Sequence, residues 1–138
     1  MRPHSVMVMA LALLLVGPGS VGFTADLPAS VQVQTYQGIP YLSGGVSEEE
    51  RDALRQVDGE YNVKLIFAAK AGNYLADVNV TIEDSHGKKV LEAVSGGPWF
   101  YTKLPPGTYT VLAQAEGQTH QQVAAIKPQQ QTQLQFYW

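Results

Sequence analysis

A strict alternation of apolar and polar residues limits how this chain can fold more than any other feature. Residues 76–83 place apolar side chains at every even position and polar ones at every odd position. Successive side chains of a β-strand point to opposite faces, so this pattern predicts a half-buried strand. Tyr61, Val63, Leu65 and Phe67 repeat the same period of two, which predicts a second strand.

The rest of the chain continues in short strand-like segments separated by turn residues. Further strands are predicted at Val31–Thr35, Val90–Val94, Trp99–Lys103, Tyr109–Ala113, Thr119–Ile126 and Leu134–Trp138, while Tyr36–Gly45 is predicted to be a turn-rich loop. About seven strands are therefore predicted after the single predicted helix at residues 47–57. Few connections are long enough for a crossover helix, so the sheet should be mainly antiparallel. The pattern alone leaves both a sandwich and a barrel open.

One helix is predicted, from Ser47 to Val57. Ser47 suits the N-cap position, and Glu50 three residues later completes the pattern of a capping box. Glu48, Glu49 and Glu50 fill the first turn, where the helix dipole favours negative charge. The helix has few apolar residues, so we expect it to lie on the surface with a narrow buried stripe.

The N-terminus has the pattern of a secretory signal peptide. Arg2 precedes an apolar run from Val6 to Val16, which is followed by small residues and helix breakers. This run is shorter than the roughly 20 residues that a membrane-spanning helix needs. Cleavage is predicted after Gly22, with Ala25 as the alternative. The predicted parts are a leader at 1–22, an N-terminal extension at 23–59 with its helix at 47–57, and a β-domain at 60–138.

Composition narrows the compartment and the partners. The chain has 138 residues, no cysteine and a net charge of −3. An exported protein without disulfides fits a bacterial periplasm, and we expect a Gram-negative source. A slightly acidic domain has no electrostatic reason to bind nucleic acid. After cleavage of the leader, no further apolar run predicts a membrane span.

The run at 76–82, then Asp84 and Gly87, then the segment from Trp99 to Val111, resembles the carboxypeptidase regulatory-like domain. The most specific part is Leu104-Pro105-Pro106-Gly107 followed by Tyr109, where the turn returns the tyrosine to the core. This resemblance covers roughly residues 61–138. It implies a transthyretin-like (prealbumin-like) fold, which is a seven-stranded antiparallel Greek-key β-sandwich. It also implies an accessory or binding module rather than a peptidase.

We therefore predict no enzyme activity, no cofactor and no metal site. After the leader, the sequence contains only two histidines, His86 and His120, and it has no cysteine that could act as a nucleophile. Asp77, Glu83 and Asp84 are the best metal-ligand candidates, but a solvated strand face explains them more simply. The predicted function is a periplasmic accessory or protein-interaction module with an envelope protein as partner. The alternative is a carbohydrate or small-ligand module that uses exposed aromatic residues.

Four residues are predicted to contact a partner or ligand: Phe100, Glu48, Glu49 and Glu50. The period of two puts Trp99 and Tyr101 on one face of their strand and Phe100 on the other. The resemblance implies that Trp99 and Tyr101 point into the core, which leaves Phe100 outside. An outward Phe100 can stack on a sugar ring or bind a protein. Alternatively, Phe100 packs under the N-terminal helix or extension.

Overall fold

The computed structural model describes residues 27–73 and 75–138. The predicted leader, residues 1–22, and both cleavage positions, Gly22 and Ala25, lie outside these ranges. Within the described ranges, no helix has the length and apolar character needed to cross a membrane.

The described chain forms nine strands, one α-helix and one short 3₁₀ turn. In chain order these are β1 (Gln34–Tyr36), β2 (Ile39–Gly44), α1 (Glu48–Val57), the 3₁₀ turn (Asp58–Glu60), β3 (Val63–Ala68), β4 (Val78–Glu83), β5 (Lys89–Ser95), β6 (Trp99–Thr102), β7 (Gly107–Ala115), β8 (Gln118–Ile126) and β9 (Thr132–Tyr137).

The strands form two sheets, and the predicted all-β sandwich is confirmed. One sheet has five strands in the order β1-β2-β6-β3-β9, and the other has four in the order β5-β4-β7-β8. The seven strands expected after the helix are β3 to β9. The described chain has nine strands rather than seven because β1 and β2 of the N-terminal extension join the five-stranded sheet.

One strand pair departs from the predicted antiparallel arrangement. β3 and β9 run parallel, with Val63 opposite Thr132 and Ala68 opposite Tyr137. Parallel strands need a long crossover connection. Here the intervening strands β4 to β8 provide that crossover by passing through both sheets, so no helix is needed.

Residues 36–45, predicted to be a loop, instead contain a hairpin and the strand β2. Tyr36 pairs with Ile39, so the loop has two residues, Gln37 and Gly38. Both have positive φ values, 49° and 87°, as a type I′ hairpin turn requires. The predicted strand at 31–35 begins instead at Gln34, and Val31 is completely buried ahead of it.

The predicted helix is confirmed, with a variation at its N-terminus. Ser47 is the N-cap residue, and its hydroxyl accepts a hydrogen bond from the Glu50 backbone N–H at 3.1 Å. The Glu50 carboxylate does not return to Ser47 as in a capping box. It accepts hydrogen bonds from the backbone N–H groups of Gly45 and Val46, at 3.0 and 3.1 Å.

The main core lies between the two sheets. The alternating residues of β3 and β4 supply its centre, since Val63, Leu65, Val78 and Val80 are completely buried. Tyr109 also packs into this inter-sheet core, as predicted from the Pro-Pro-Gly turn. Its hydroxyl donates a hydrogen bond to the Pro105 carbonyl at 2.7 Å, which fixes the turn against the strand that follows.

A second apolar layer lies on the other face of the five-stranded sheet, under α1. We call it the helix-side core, and it consists of Val31, Leu42, Leu54, Val57, Tyr61 and Tyr101. Trp99 packs at its margin. Both faces of β6 are therefore covered, and the predicted orientation of residues 99–101 is wrong. Phe100 faces the inter-sheet core, while Trp99 and Tyr101 face the helix.

The extension can join the sheet because two glycines meet closely. A Cβ atom on Gly97 would lie 2.4 Å from the Gly44 carbonyl oxygen at the end of β2. On the opposite side, a Cβ on Gly44 would lie 2.8 Å from a Val31 methyl group. Neither position has room for a side chain, so glycine is needed at both for β2 to fit between the 95–98 loop and Val31.

We predict that Gly97→Ala lowers the free energy of unfolding by about 1–3 kcal/mol, since the added methyl group overpacks a backbone contact. The measurement is urea unfolding followed by tryptophan fluorescence. Gly59→Ala is the control because no atom lies within 4 Å of its added Cβ. It should leave stability unchanged or raise it by about 0.4–1 kcal/mol. Equal losses in both variants would contradict the close contact.

Candidate functional site

Phe100 is not available to a ligand. It has 0% relative exposure, and its ring stacks on Tyr41 with 5.6 Å between ring centroids. The prediction that Phe100 is a surface contact is therefore wrong. The alternative was that Phe100 packs under the N-terminal helix or extension. It is wrong for the helix, where Tyr101 lies instead, whereas Tyr41, on which Phe100 stacks, does belong to the extension.

The three glutamates of α1 have different surroundings. Glu48 forms an ion pair with Arg51 at 2.8 Å, and the hydrogen bond from Arg51 lowers the pKa of its carboxyl. The Glu49 side chain is exposed and makes no hydrogen bond or ion pair with any residue of the described ranges. Glu50 is half-buried and hydrogen-bonds to the extension. Of the three, only Glu49 is free to contact a partner without breaking an internal interaction.

Glu50 ties the extension to the start of the helix. Besides the N–H groups of Gly45 and Val46, its carboxylate accepts a hydrogen bond from the Ser30 hydroxyl. Burial raises the pKa of Glu50, but the three hydrogen bonds outweigh burial and bring the pKa below its ordinary value. Glu50 is therefore ionised in the folded protein and acts as a structural acceptor.

A cleft opens where the 3₁₀ turn faces the β8–β9 loop, and we call it the glutamine cleft. It is lined by residues 58–62, by Pro40 and Lys103, and by Gln129–Gln131. Its volume is about 740 Å³, within the range of roughly 300–1,000 Å³ usual for small-molecule sites. It is the strongest site candidate because its lining combines amide, carboxylate and ammonium groups from four separate segments.

The backbone of this cleft is held by side chains on both walls. Gln131 donates from its amide nitrogen to the carbonyl oxygens of Asp58 and Tyr61, at 3.0 and 3.1 Å. Asn62 joins the turn to Leu104 with two hydrogen bonds, of 2.8 and 2.9 Å. Gln129 has a positive φ of 62°, a backbone conformation that non-glycine residues adopt at a cost. The walls are therefore preorganised rather than free to close.

Asp58 connects the cleft to a cation–aromatic cluster on the outer face of β6. Its carboxylate lies 3.9 Å from the Lys64 ammonium. That ammonium lies 4.4 Å from the Trp99 ring centroid, and the Arg55 guanidinium lies 5.5 Å from the same centroid. Because cations already occupy the surroundings of this ring, Trp99 is poorly placed to stack on a sugar.

Two tyrosines beside Asp58 are held neutral. Burial, followed by the charge of Asp58, raises the pKa of Tyr101 far above its ordinary value. The buried Tyr101 hydroxyl makes no hydrogen bond of normal geometry with any described residue, so Asp58 acts on it through charge. Burial and then Glu60 raise the pKa of Tyr61. Neither phenol is prepared to act as a base.

The groups that line the glutamine cleft are suited to binding a ligand rather than to catalysing a reaction. His86 lies in the β4–β5 turn and His120 lies on β8, and neither lines the glutamine cleft. In residues 27–73 and 75–138, no three His, Asp or Glu side chains come together as metal ligands. The chemistry offered by the cleft is hydrogen bonding from amides, with one cation and two acidic residues nearby.

Sequence reasoning missed this cleft for a clear reason. Its lining comes from residues near 40, 60, 103 and 130, which no local pattern connects. The only signal was the run Gln129–Gln131, which the sequence predicted to be a solvated loop. Three glutamines after a proline do not by themselves indicate a site. Only the fold places them in one cleft with Lys103 and Glu60.

Comparison with known proteins gives one family. Residues 60–137 match the family model of the Rhizobiales growth-associated tandem repeat domain, which is more than half of the chain. No curated protein matches the chain. The matched segment begins at the last residue of the 3₁₀ turn and contains β3 to β9.

We predict that Glu50 makes stability depend on pH. Because its folded pKa is depressed, its contribution is present above the ordinary value of 4.5 and is lost as pH falls through the folded pKa. Glu50→Gln should therefore flatten the acid side of the stability curve measured by urea unfolding. Glu50→Ala should cost about 1–3 kcal/mol at neutral pH, since the N–H groups of Gly45 and Val46 lose a charged acceptor.

Glu49→Gln is the matched control on the same helical turn. The Glu49 carboxylate has no hydrogen-bond partner among the described residues, so this variant should keep the acid dependence of the unsubstituted protein. If Glu49→Gln and Glu50→Gln flatten the curve equally, Glu50 does not tie the extension in place.

Proposed function

The chain belongs to the Rhizobiales growth-associated tandem repeat family, and we propose that it is a non-catalytic binding module of the bacterial envelope. The observation that supports this proposal is the glutamine cleft, with its preorganised polar walls and a volume of about 740 Å³. Binding modules of this size use a few fixed polar groups for orientation and need no catalytic pair.

The periplasmic location is part of the proposal and rests on the leader pattern at residues 1–22. The carboxypeptidase regulatory-like resemblance also stays a prediction. The sandwich architecture is compatible with it, and that resemblance likewise implies a binding module. Of the two functions predicted from sequence, the cleft favours the small-ligand or carbohydrate module, although with polar groups in place of the exposed aromatic residues that the prediction named.

We predict that a ligand of the cleft raises the thermal unfolding midpoint by several degrees. A ligand at about a hundred times its Kd stabilises the folded state by about 2.7 kcal/mol. The measurement is thermal unfolding of the protein with neutral oligosaccharides, free amino acids and short peptides. The rise should shrink in Lys103→Met, because Lys103 lines the cleft.

Lys127→Met is the matched control, since Lys127 is an exposed lysine outside the cleft lining. The proposal fails if none of the three classes shifts the midpoint. It also fails if the shift is the same in both lysine variants.

A second candidate function is a contact with a protein partner at the helix. A groove of about 660 Å³ lies between α1 and the first described residues, Leu27 and Pro28. Glu48, Glu49 and Asp52 line it, so its charge suits a basic segment of a partner. This groove supports the hypothesis of a protein-interaction module, which was based on the acidic first turn of the helix.

For this second function, we predict that Glu49→Lys abolishes crosslinking to a partner in intact cells, because the substitution reverses the charge at the groove. Glu116→Lys is the control, since Glu116 is exposed in the β7–β8 turn, away from the helix. The readout is the amount of crosslinked partner recovered by pull-down. Equal recovery from both variants would argue against the groove.

A further inference from the structure

We propose that the outward face of β9 binds a neutral, hydroxyl-rich polymer, a polysaccharide without ionised groups, whose chain continues into the glutamine cleft. This inference rests on the proposed function and names its ligand class. The residues that carry it are Gln131, Gln133, Gln135 and Tyr137, which we call the glutamine track.

The track runs along the exposed face of β9 and reaches the cleft through Gln131. Along β9, the even residue Phe136 is buried, while Gln133, Gln135 and Tyr137 are exposed. Gln131 precedes the strand, is exposed and lines the cleft. Alternate residues of a strand lie about 7 Å apart, so the four side chains span about 20 Å. An extended polymer can follow such a line, whereas a compact ligand cannot.

The track carries no charge. Residues 128–138 contain no Asp, Glu, Lys or Arg. Charged residues make up 15% of the whole chain, so this strip has less charge than the chain average. Lys64 lies opposite Gln133 across the sheet, but its side chain is only 15% exposed and its ammonium lies over Trp99. β9 itself therefore offers a polyanion no cation. The exposed Lys103 lies at the cleft end of the track, and Lys70, whose backbone N–H donates to the Trp138 carbonyl, lies at the other end.

The side chains match hydroxyl groups and sugar rings. Each glutamine amide has both a donor and an acceptor, as a hydroxyl group does. Tyr137 is 52% exposed, and its hydroxyl donates to the Gln135 amide oxygen at 2.5 Å. This bond holds the ring beside the amide. An amphipathic ring next to a fixed amide is suited to pack on a sugar face while the amide meets its hydroxyls.

The floor beside the track is aliphatic. Ile66 and Ala68 on β3 pair with Gln135 and Tyr137, and both are half-buried. Gln122 on β8 donates to the Gln135 carbonyl at 2.6 Å, so the strand is also held from its other side. The track therefore presents polar groups beside a low apolar surface, and hydrogen bonds hold Gln131, Gln135 and Tyr137 in place. It resembles a platform for a chain more than a pocket for a small molecule.

The test is affinity electrophoresis of the protein in native gels that contain dextran, laminarin or galactomannan, with polygalacturonate as the acidic probe. We expect retardation by at least one neutral polysaccharide and no weakening when salt is raised, since the ligand carries no charge for salt to screen. Tyr137→Ala and Gln133→Ala should each weaken binding by roughly 3- to 10-fold, as expected for one ring contact or one hydrogen bond.

Gln121→Ala is the matched control, because Gln121 is an exposed glutamine on a strand of the other sheet. Its binding should stay unchanged. The track is overturned if no neutral polysaccharide retards the protein, if only polygalacturonate does, or if Gln121→Ala weakens binding as much as Gln133→Ala. A Lys103-dependent thermal shift alongside any of these results overturns the track and leaves the proposed function standing. If the Lys103-dependent thermal shift is absent as well, the proposed function is overturned together with the track.

Discussion

The contact between Gly97 and Gly44 is the constraint on which the rest of the structure depends. The two backbones approach so closely that a Cβ on either glycine would overlap a neighbouring atom. This approach lets β2 pair with β6, with Leu42 directly opposite Tyr101. Those two side chains begin the helix-side core, and α1 covers them. Without β2 in the sheet, α1 would lose Leu42 as a packing partner, and the helix-side core would be incomplete.

The 3₁₀ turn depends on that helix, and the candidate site depends on the turn. Asp58 is the C-cap residue of α1, and it makes contacts both at the cleft and at the cation–aromatic cluster. Its carbonyl accepts from Gln131 on the cleft side, while its carboxylate faces Lys64 on the side of Trp99. One residue thus couples the end of the helix, the β8–β9 loop and the cation–aromatic cluster. The cleft is a consequence of how the extension is attached, although most of its lining lies in the matched segment 60–137.

Much of the fold could be predicted from local pattern, because alternation and capping are local effects. Val78, Val80 and Ile82 are buried as their period required, and Ser47 caps the helix. The orientation of Phe100 could not be predicted in the same way. A period of two separates two faces but does not say which one meets the core, and here both faces are covered. The strand β2 was missed because Pro40 and the glycines around it also favour turns.

The site was less predictable than the fold, because it depends on contacts between distant segments. Glu50 illustrates this, since its sequence position implied a capping box, whereas its partners are Ser30, Gly45 and Val46. The sequence predicted that the Glu50 carboxylate contacts a partner, whereas in the fold it accepts hydrogen bonds from within the chain. The same reasoning applies in reverse to Gln131, a residue of no evident importance in the sequence that joins two walls of the cleft.

The boundary of the family match gives the extension a physical role. The matched segment contains β3 to β9, in which β6 would have only β3 as a neighbour. An unpaired edge strand offers its N–H and C=O groups to any other strand and is a liability for aggregation. In this chain β2 pairs with that edge along Trp99–Thr102, and α1 covers the aromatic face beside it. The extension therefore completes the sandwich, because β2 covers the edge of β6 that β3 to β9 would leave unpaired. It can do so only because β2 ends at Gly44, where a side chain would not fit.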